Sequence, residues 1–129
     1  MKTEKRLLGD LGEDAAAKFL RKNKYRILER NYTYGPYEID IIAESKEFFV
    51  FVEVKTRTYR EGSMERFGRA CEAVDRAKRH SLLAAARGYC SQNACKKRIR
   101  MDVIEVYYQD TTPPTLHTLH HMPDAFRFE

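Results

Sequence analysis

Asp40 is followed thirteen positions later by Glu53, and Glu53 two positions later by Lys55. Glu38-Ile39-Asp40 lies inside an apolar run from Tyr37 to Ala43, and Glu53-Val54-Lys55 closes a second run, Phe48 to Val54 (FFVFVEV). A charge in such a run costs on the order of several kcal/mol unless it is paired or binds a metal. Side chains two apart in a strand share a face, so Glu53 and Lys55 project together, and a hairpin would bring Asp40 to them. Two carboxylates and one amine converging on an apolar sheet have the makings of a divalent-metal site with an adjacent cation. Magnesium takes one or two carboxylates together with water and phosphate oxygens. Asp40 and Glu53 offer that number, and the Val54 carbonyl would add an oxygen. Such a metal acidifies its water and stabilises charge on a phosphate. Lys55 would then orient or deprotonate the attacking water, or stabilise the transition state. Spacing alone allows a second reading, in which Glu53 and Lys55 are an ion pair guarding a sheet edge.

The elements that must position these residues are legible around them. Leu7, Leu8, Leu11, Ala15 and Phe19 recur at helical spacing over Glu4 to Lys22. Tyr25 to Asn31 suits a strand, and Tyr34-Gly35-Pro36 is a turn signal. The polar Glu44-Ser45-Lys46-Glu47 predicts a hairpin between the two apolar strands. Thr56 to Gly68 reads as a polar loop, and Arg69 to Arg87 as a helix ended by Gly88, followed by a basic loop from Tyr89 to Lys97. Ile99 to Tyr108 alternates as a strand, with Arg100, Asp102, Ile104 and Val106 on one face. Leu116 to Phe128 is expected to supply a short strand and a turn of helix around Ala125-Phe126. The order α-β-β-β-α-β implies an α/β fold, a mixed sheet covered by helices.

A chain of 129 residues suits one domain, spanning 1–129. With 43% hydrophobic and 33% charged residues, the composition is that of a folded globular protein. No apolar run approaches the roughly 20 residues needed to span a bilayer, so no membrane partner is expected. The opening MKTEKRLLGDLGED turns polar too early for a secretory leader, and a cytoplasmic location is expected. Cys71, Cys90 and Cys95 lack C-x-x-C spacing and read as reduced, structural thiols. His117, His120 and His121 read as tail or packing residues. Charge is unevenly spread. Residues 1–54 carry 10 basic and 10 acidic side chains; residues 55–100 carry 13 and 4, a net of +9; residues 101–129 carry 1 and 5, a net of −4. A basic segment beginning at Lys55 suggests a polyanion partner, with a solvated helix face as the alternative.

Asp40 followed by Glu53-x-Lys55 at a strand end resembles the PD-(D/E)-x-K nuclease superfamily, which includes restriction endonucleases and archaeal Holliday junction resolvases. The resemblance is closer to the YraN-like family of small bacterial proteins. It is carried in order by Gly12-Glu13-Asp14-Ala15-Ala16, Arg30-Asn31, Glu38-Ile39-Asp40-Ile41-Ile42, Val50 through Arg57, Ala73-Val74 with Lys78, Arg100-Met101-Asp102-Val103, and His121 with Ala125-Phe126. It implies a restriction-endonuclease-like core, a mixed central β-sheet flanked by α-helices. It also implies a metal-dependent DNA endonuclease using Mg²⁺ or Mn²⁺, with branched, Holliday-junction-like DNA as a candidate substrate and a homodimer as a candidate assembly. In that light Glu13 joins Asp40, Glu53 and Lys55 as a catalytic candidate beside the metal, and Glu38 becomes a further ligand or a support for one. Arg57, Arg60, Arg66, Lys96, Lys97 and Arg98 would contact phosphates. Lys78 would face the site or the phosphates, or else solvent. Arg100 and Asp102 are either functional or a sheet-face ion pair. Relatives carry Gly just before the Glu-x-Asp segment, where this chain has Tyr37, so its turn is remodelled. The alternatives are a non-catalytic nucleic-acid-binding adaptor in DNA repair, recombination or uptake, and a protein scaffold with structural ion pairs.

Overall fold

The Thr3 hydroxyl accepts the Arg6 backbone N–H at 3.1 Å and so starts helix α1, Glu4–Lys22. In this computed structural model, residues 1–60 and 74–127 are described. Strands β1 (Arg26–Tyr34), β2 (Tyr37–Glu44) and β3 (Phe48–Tyr59) follow, then α2 (Arg76–Asn93), β4 (Arg98–Gln109) and β5 (Thr115–Phe126). The five strands form one sheet in sequence order. All neighbours pair antiparallel except β3 and β4, which are parallel and joined through α2. The result is a mixed sheet flanked by helices, compatible with a restriction-endonuclease-like core.

Each face of the sheet has its own core. Ala16, Ala17 and Leu20 of α1 pack on Ile41, Val50, Val52, Ile104 and Val106. Leu82, Ala85, Ala86 and Tyr89 of α2 pack on Ile39, Phe51, Met101 and Val103. Even-numbered residues of β3 and β4 therefore face α1, and odd-numbered residues face α2.

Four sequence expectations change. The buried stripe of α1 is Gly12, Ala16, Ala17 and Leu20, whereas Leu7 and Leu11 are exposed. Small residues win because they let the helix lie close on the sheet: a Cβ on Gly12 would stand 1.9 Å from Thr56 Oγ1. β3 runs to Tyr59, because Thr56 through Tyr59 pair with Val106 through Gln109 where a loop was expected. α2 continues through Gly88 to Asn93 and ends at Ala94, which takes the left-handed conformation. Gly88 serves instead to admit the Tyr34 ring, which a Cβ there would meet at 2.3 Å. Finally, the Ala125-Phe126 segment is strand and not helix, with Phe126 opposite Met101 and buried in the α2-side core. The expected helical residues 69–73, Cys71 among them, lie outside the described residues, as does Arg66.

Candidate active site

The hairpin brings Asp40 and Glu53 together by ceasing to be a hairpin at that point. β2 and β3 pair from Glu44–Phe49 to Ile41–Val52, and no further. Along β2 the alternation slips there too, since Ile39 packs on the α2 side and Ile41 on the α1 side. The Asp40 carboxylate spans the fork: its Oδ2 accepts the Val54 backbone N–H at 2.8 Å. That bond replaces the lost ladder contact and fixes the carboxylate against β3.

Glu53 is buried, with 7% of its surface exposed, at the end of the apolar run. Lys55 shares its face and brings Nζ to 3.5 Å from Glu53 Oε1. Glu53 Oε2 is buried and has no hydrogen-bond partner among the described residues. A buried carboxylate oxygen left in this condition is costly unless a cation completes it. Asp40 records the same tension. Burial first, then the charge of Glu53, push its carboxyl from 3.8 up to about 7, against the Val54 hydrogen bond and with smaller contributions from Glu13 and Glu38. A carboxyl raised by burial and by a neighbouring carboxylate is a group whose charged form a cation would stabilise. The donor set of two hard carboxylates suits magnesium or manganese, which retain water and take further oxygens from a substrate phosphate. Among the described residues, no three His, Cys, Asp or Glu side chains form a ready metal cage.

Glu13 lies on α1, and its charge acts on Asp40 less strongly than that of Glu53 does. It is half-buried because it lies one position from the true buried stripe, and the close seat of Gly12 on Thr56 carries it toward the sheet. Burial raises its pKa, Arg30 opposes that, and Glu38 adds to it. Arg30 ties β1 to α1 beside it through a 2.8 Å bond from Nη2 to Asp14 Oδ1. Glu38 is exposed on β2.

The basic candidates scatter. Arg57 follows Lys55 on the same face of β3, with Nε 3.7 Å from Glu105 Oε2. Arg60 is exposed just past the end of β3. Lys78 is exposed in the first turn of α2. Lys97 sits by the β2–β3 turn, donating to the Ser45 carbonyl at 3.0 Å and lying 3.4 Å from Glu44. Arg98 is opposite Phe48, five residues along β3 from Glu53 and thus about 16 Å away. The fold does not bring Lys96, Lys97 and Arg98 to the carboxylates, because the crossover returns the chain to the beginning of β3.

Glu105 was not singled out from sequence, although it too is a charge in an apolar strand. It is fully buried, opposite Lys55 in register, and paired with Arg57. The β3–β4 face toward α2 thus carries Glu53, Lys55, Arg57 and Glu105 as an alternating charge ladder. On the other face Asp102 is fully buried and saturated. It accepts Arg100 Nε and Nη2 at 2.8 and 2.7 Å, bonds His121 Nε2 at 2.6 Å, and accepts the Asp124 N–H at 2.9 Å. Burial would raise its pKa, but these bonds hold it below the usual value. Arg100 also donates to Tyr25 Oη at 2.6 Å. Arg100 and Asp102 are therefore an ion pair that locks β4, β5 and the α1–β1 junction.

Fold and site together define an α/β protein with a mixed five-stranded sheet, in which β2 and β3 part around an acidic pair. The chain belongs to the uncharacterised protein family UPF0102, the YraN-like proteins, whose profile matches residues 12–106. It is 40% identical over 126 residues to a UPF0102 protein of Caldanaerobacter subterraneus subsp. tengcongensis, covering 97% of this chain and 98% of that one. It is 37% identical over 132 residues to one of Chlorobium phaeobacteroides, covering both in full. A UPF0102 protein of Flavobacterium psychrophilum is 40% identical over 119 residues, 92% of each chain. No helix among the described residues is long and apolar enough to cross a membrane.

Proposed function

We propose that this protein is a metal-dependent DNA endonuclease that hydrolyses phosphodiester bonds, with branched DNA as its preferred substrate. The observation that carries the reading is the buried Glu53 Oε2, without a hydrogen-bond partner among the described residues, beside an Asp40 carboxyl raised to about 7. Neither feature benefits an empty fold, and both are relieved by a divalent cation. The resemblance of Asp40 and Glu53-x-Lys55 to the nuclease signature supports the same reading.

In this reading Asp40 and Glu53 hold Mg²⁺ or Mn²⁺, which supplies charge stabilisation to the phosphate and acidity to a water molecule. The Val54 N–H keeps the Asp40 carboxylate turned toward Glu53. Lys55, tethered within 3.5 Å of Glu53, presents its ammonium to a phosphate oxygen or orients the attacking water. Glu13 supports the site through charge. Purified protein is to be tested with Mg²⁺ and Mn²⁺ on duplex, single-stranded, flap and four-way DNA. Metal-dependent cleavage, greatest on the branched substrates and abolished in Asp40→Ala and Glu53→Ala, is the expected result. Undiminished cleavage by the double variant refutes the proposal. DNA binding without cleavage, and without Asp40-dependent Mn²⁺ binding by calorimetry, would make the protein an adaptor.

A further inference from the structure

α2 carries a groove apart from the acidic pair. Its eighteen residues include Arg76, Lys78, Arg79 and Arg87 and no acidic side chain. The groove has a volume of about 1080 Å³ and runs along the helix between Tyr34 at one end and Phe126-Arg127 at the other. Among the described residues, four arginines and His80 line it, and no carboxylate does. Arg127 is partly committed, since it pairs with Asp124. Arg76 and Arg87 are exposed. Arg79 is pre-positioned: its Nε donates to the Val74 carbonyl at 2.8 Å and its guanidinium lies 5.5 Å from the centre of the Phe126 ring.

Two features make this more than a solvated helix face. First, the charges follow helical spacing along one concave wall, with about 17 Å of helix between Arg76 and Arg87. Second, the groove ends on an aromatic ring. Tyr34 is 39% exposed, and its ring is seated in the notch that Gly88 leaves in α2. A ring backed on one side and open on the other is a platform for a flat, unpaired base, and arginines along a groove match a phosphate backbone. Tyr34 also pairs with Tyr37 across the β1–β2 turn. Asp40 lies three residues beyond Tyr37, about 10 Å along β2. The platform therefore stands at the approach to the acidic pair.

We propose that the α2 groove holds a single strand of DNA, its phosphates against Arg76, Arg79 and Arg87 and an unpaired base on Tyr34. The proposal deepens the nuclease reading by naming a surface and a strand form, and it rests on that reading only for where the strand leads. Binding is to be measured by fluorescence anisotropy on the full chain in EDTA, with a labelled oligo-dT of about 16 nucleotides and a duplex of equal length. Potassium chloride is varied. Contact with about three phosphates gives a log–log salt slope near −2 for the single strand. Arg76→Gln with Arg87→Gln should weaken oligo-dT binding at least tenfold and flatten the slope by about 1.4. Tyr34→Ala should weaken it about fivefold or more with the slope unchanged, because stacking carries no charge. Lys18→Glu on the exposed side of α1 serves as control, and circular dichroism checks that each variant is folded. The proposal is overturned if the arginine pair variant binds with unchanged affinity and slope. It is equally overturned if duplex binds as tightly as oligo-dT and Tyr34→Ala is without effect. Arginine- and Tyr34-dependent binding with no cleavage by the wild type would refute the nuclease reading and leave the groove standing.

Discussion

Asp40→Asn should stabilise this protein when no divalent cation is present. A carboxyl raised in the folded state from 3.8 to about 7 binds its proton more tightly folded than unfolded. The sign follows directly: below about pH 4 the group is neutral in both states and costs nothing. As pH rises from there through about 7, the folded state must give up a proton it holds more firmly, so stability falls and then levels off. At about 1.36 kcal/mol per pKa unit, a shift of about three units bounds the cost near 4 kcal/mol. Asp40 is only half-buried and is coupled to Glu53, so about 2 kcal/mol is the magnitude to expect after screening. Asparagine keeps an oxygen to accept the Val54 N–H, which isolates the charge from the hydrogen bond. A domain of this size should melt about 6–8 °C higher as Asp40→Asn than as wild type at pH 8 in EDTA. The gap should close near pH 4. Adding Mn²⁺ should raise the wild-type melting temperature and leave the variant where it was, since ligand binding to the folded state stabilises by mass action. Calorimetric melting over pH 4–8 would refute the reasoning if the variant is no more stable at pH 8, or if its advantage persists undiminished at pH 4.

Gly12→Ala should destabilise by about 1–3 kcal/mol despite the better helix propensity of alanine, because its Cβ would meet Thr56 Oγ1 at 1.9 Å; Thr56→Ala in the same chain, which removes that oxygen, should recover part of the loss in urea titrations. Asp102→Ala should cost about 3–5 kcal/mol, because it strands Arg100 and removes the acceptor shared with His121 and Asp124 N–H; an unchanged urea midpoint would refute the locking role.

How much of this was legible in sequence depends on which physical rule each residue obeys. Asp40 and Glu53 declare themselves because a charge inside an apolar strand is too costly to be accidental. The same rule, applied to Arg98–Gln109, would have found Glu105 between Val103 and Tyr107. Glu13 could not be found from hydrophobic periodicity, because Leu7 and Leu11, which set that period, are exposed. A helix lying close on a sheet needs small side chains, and Gly12, Ala16 and Ala17 carry too little hydrophobicity to mark a stripe. The resemblance to a family supplied Glu13; the seat of Gly12 on Thr56 supplies the physical reason.

The basic residues separate sequence from space most sharply. Lys96-Lys97-Arg98 is the densest positive run in the chain, yet a parallel crossover must return to the start of the strand it left. The run therefore lands at the β2–β3 turn, beside Glu44 and away from Glu53. Arg76, Arg79 and Arg87 are dilute in sequence, but helical spacing concentrates them along one groove, with an aromatic ring at its end. Charge density that a polyanion can use is density on a surface. On that measure the helix outranks the run. Among the described residues, the positive charge that begins at Lys55 therefore separates in three dimensions into a ladder beside buried carboxylates, a clamp at the far turn, and a groove along α2. Of the three, the groove alone sets arginines at helical spacing beside an aromatic ring, and that is why it, rather than the lysine run, is the surface to mutate first.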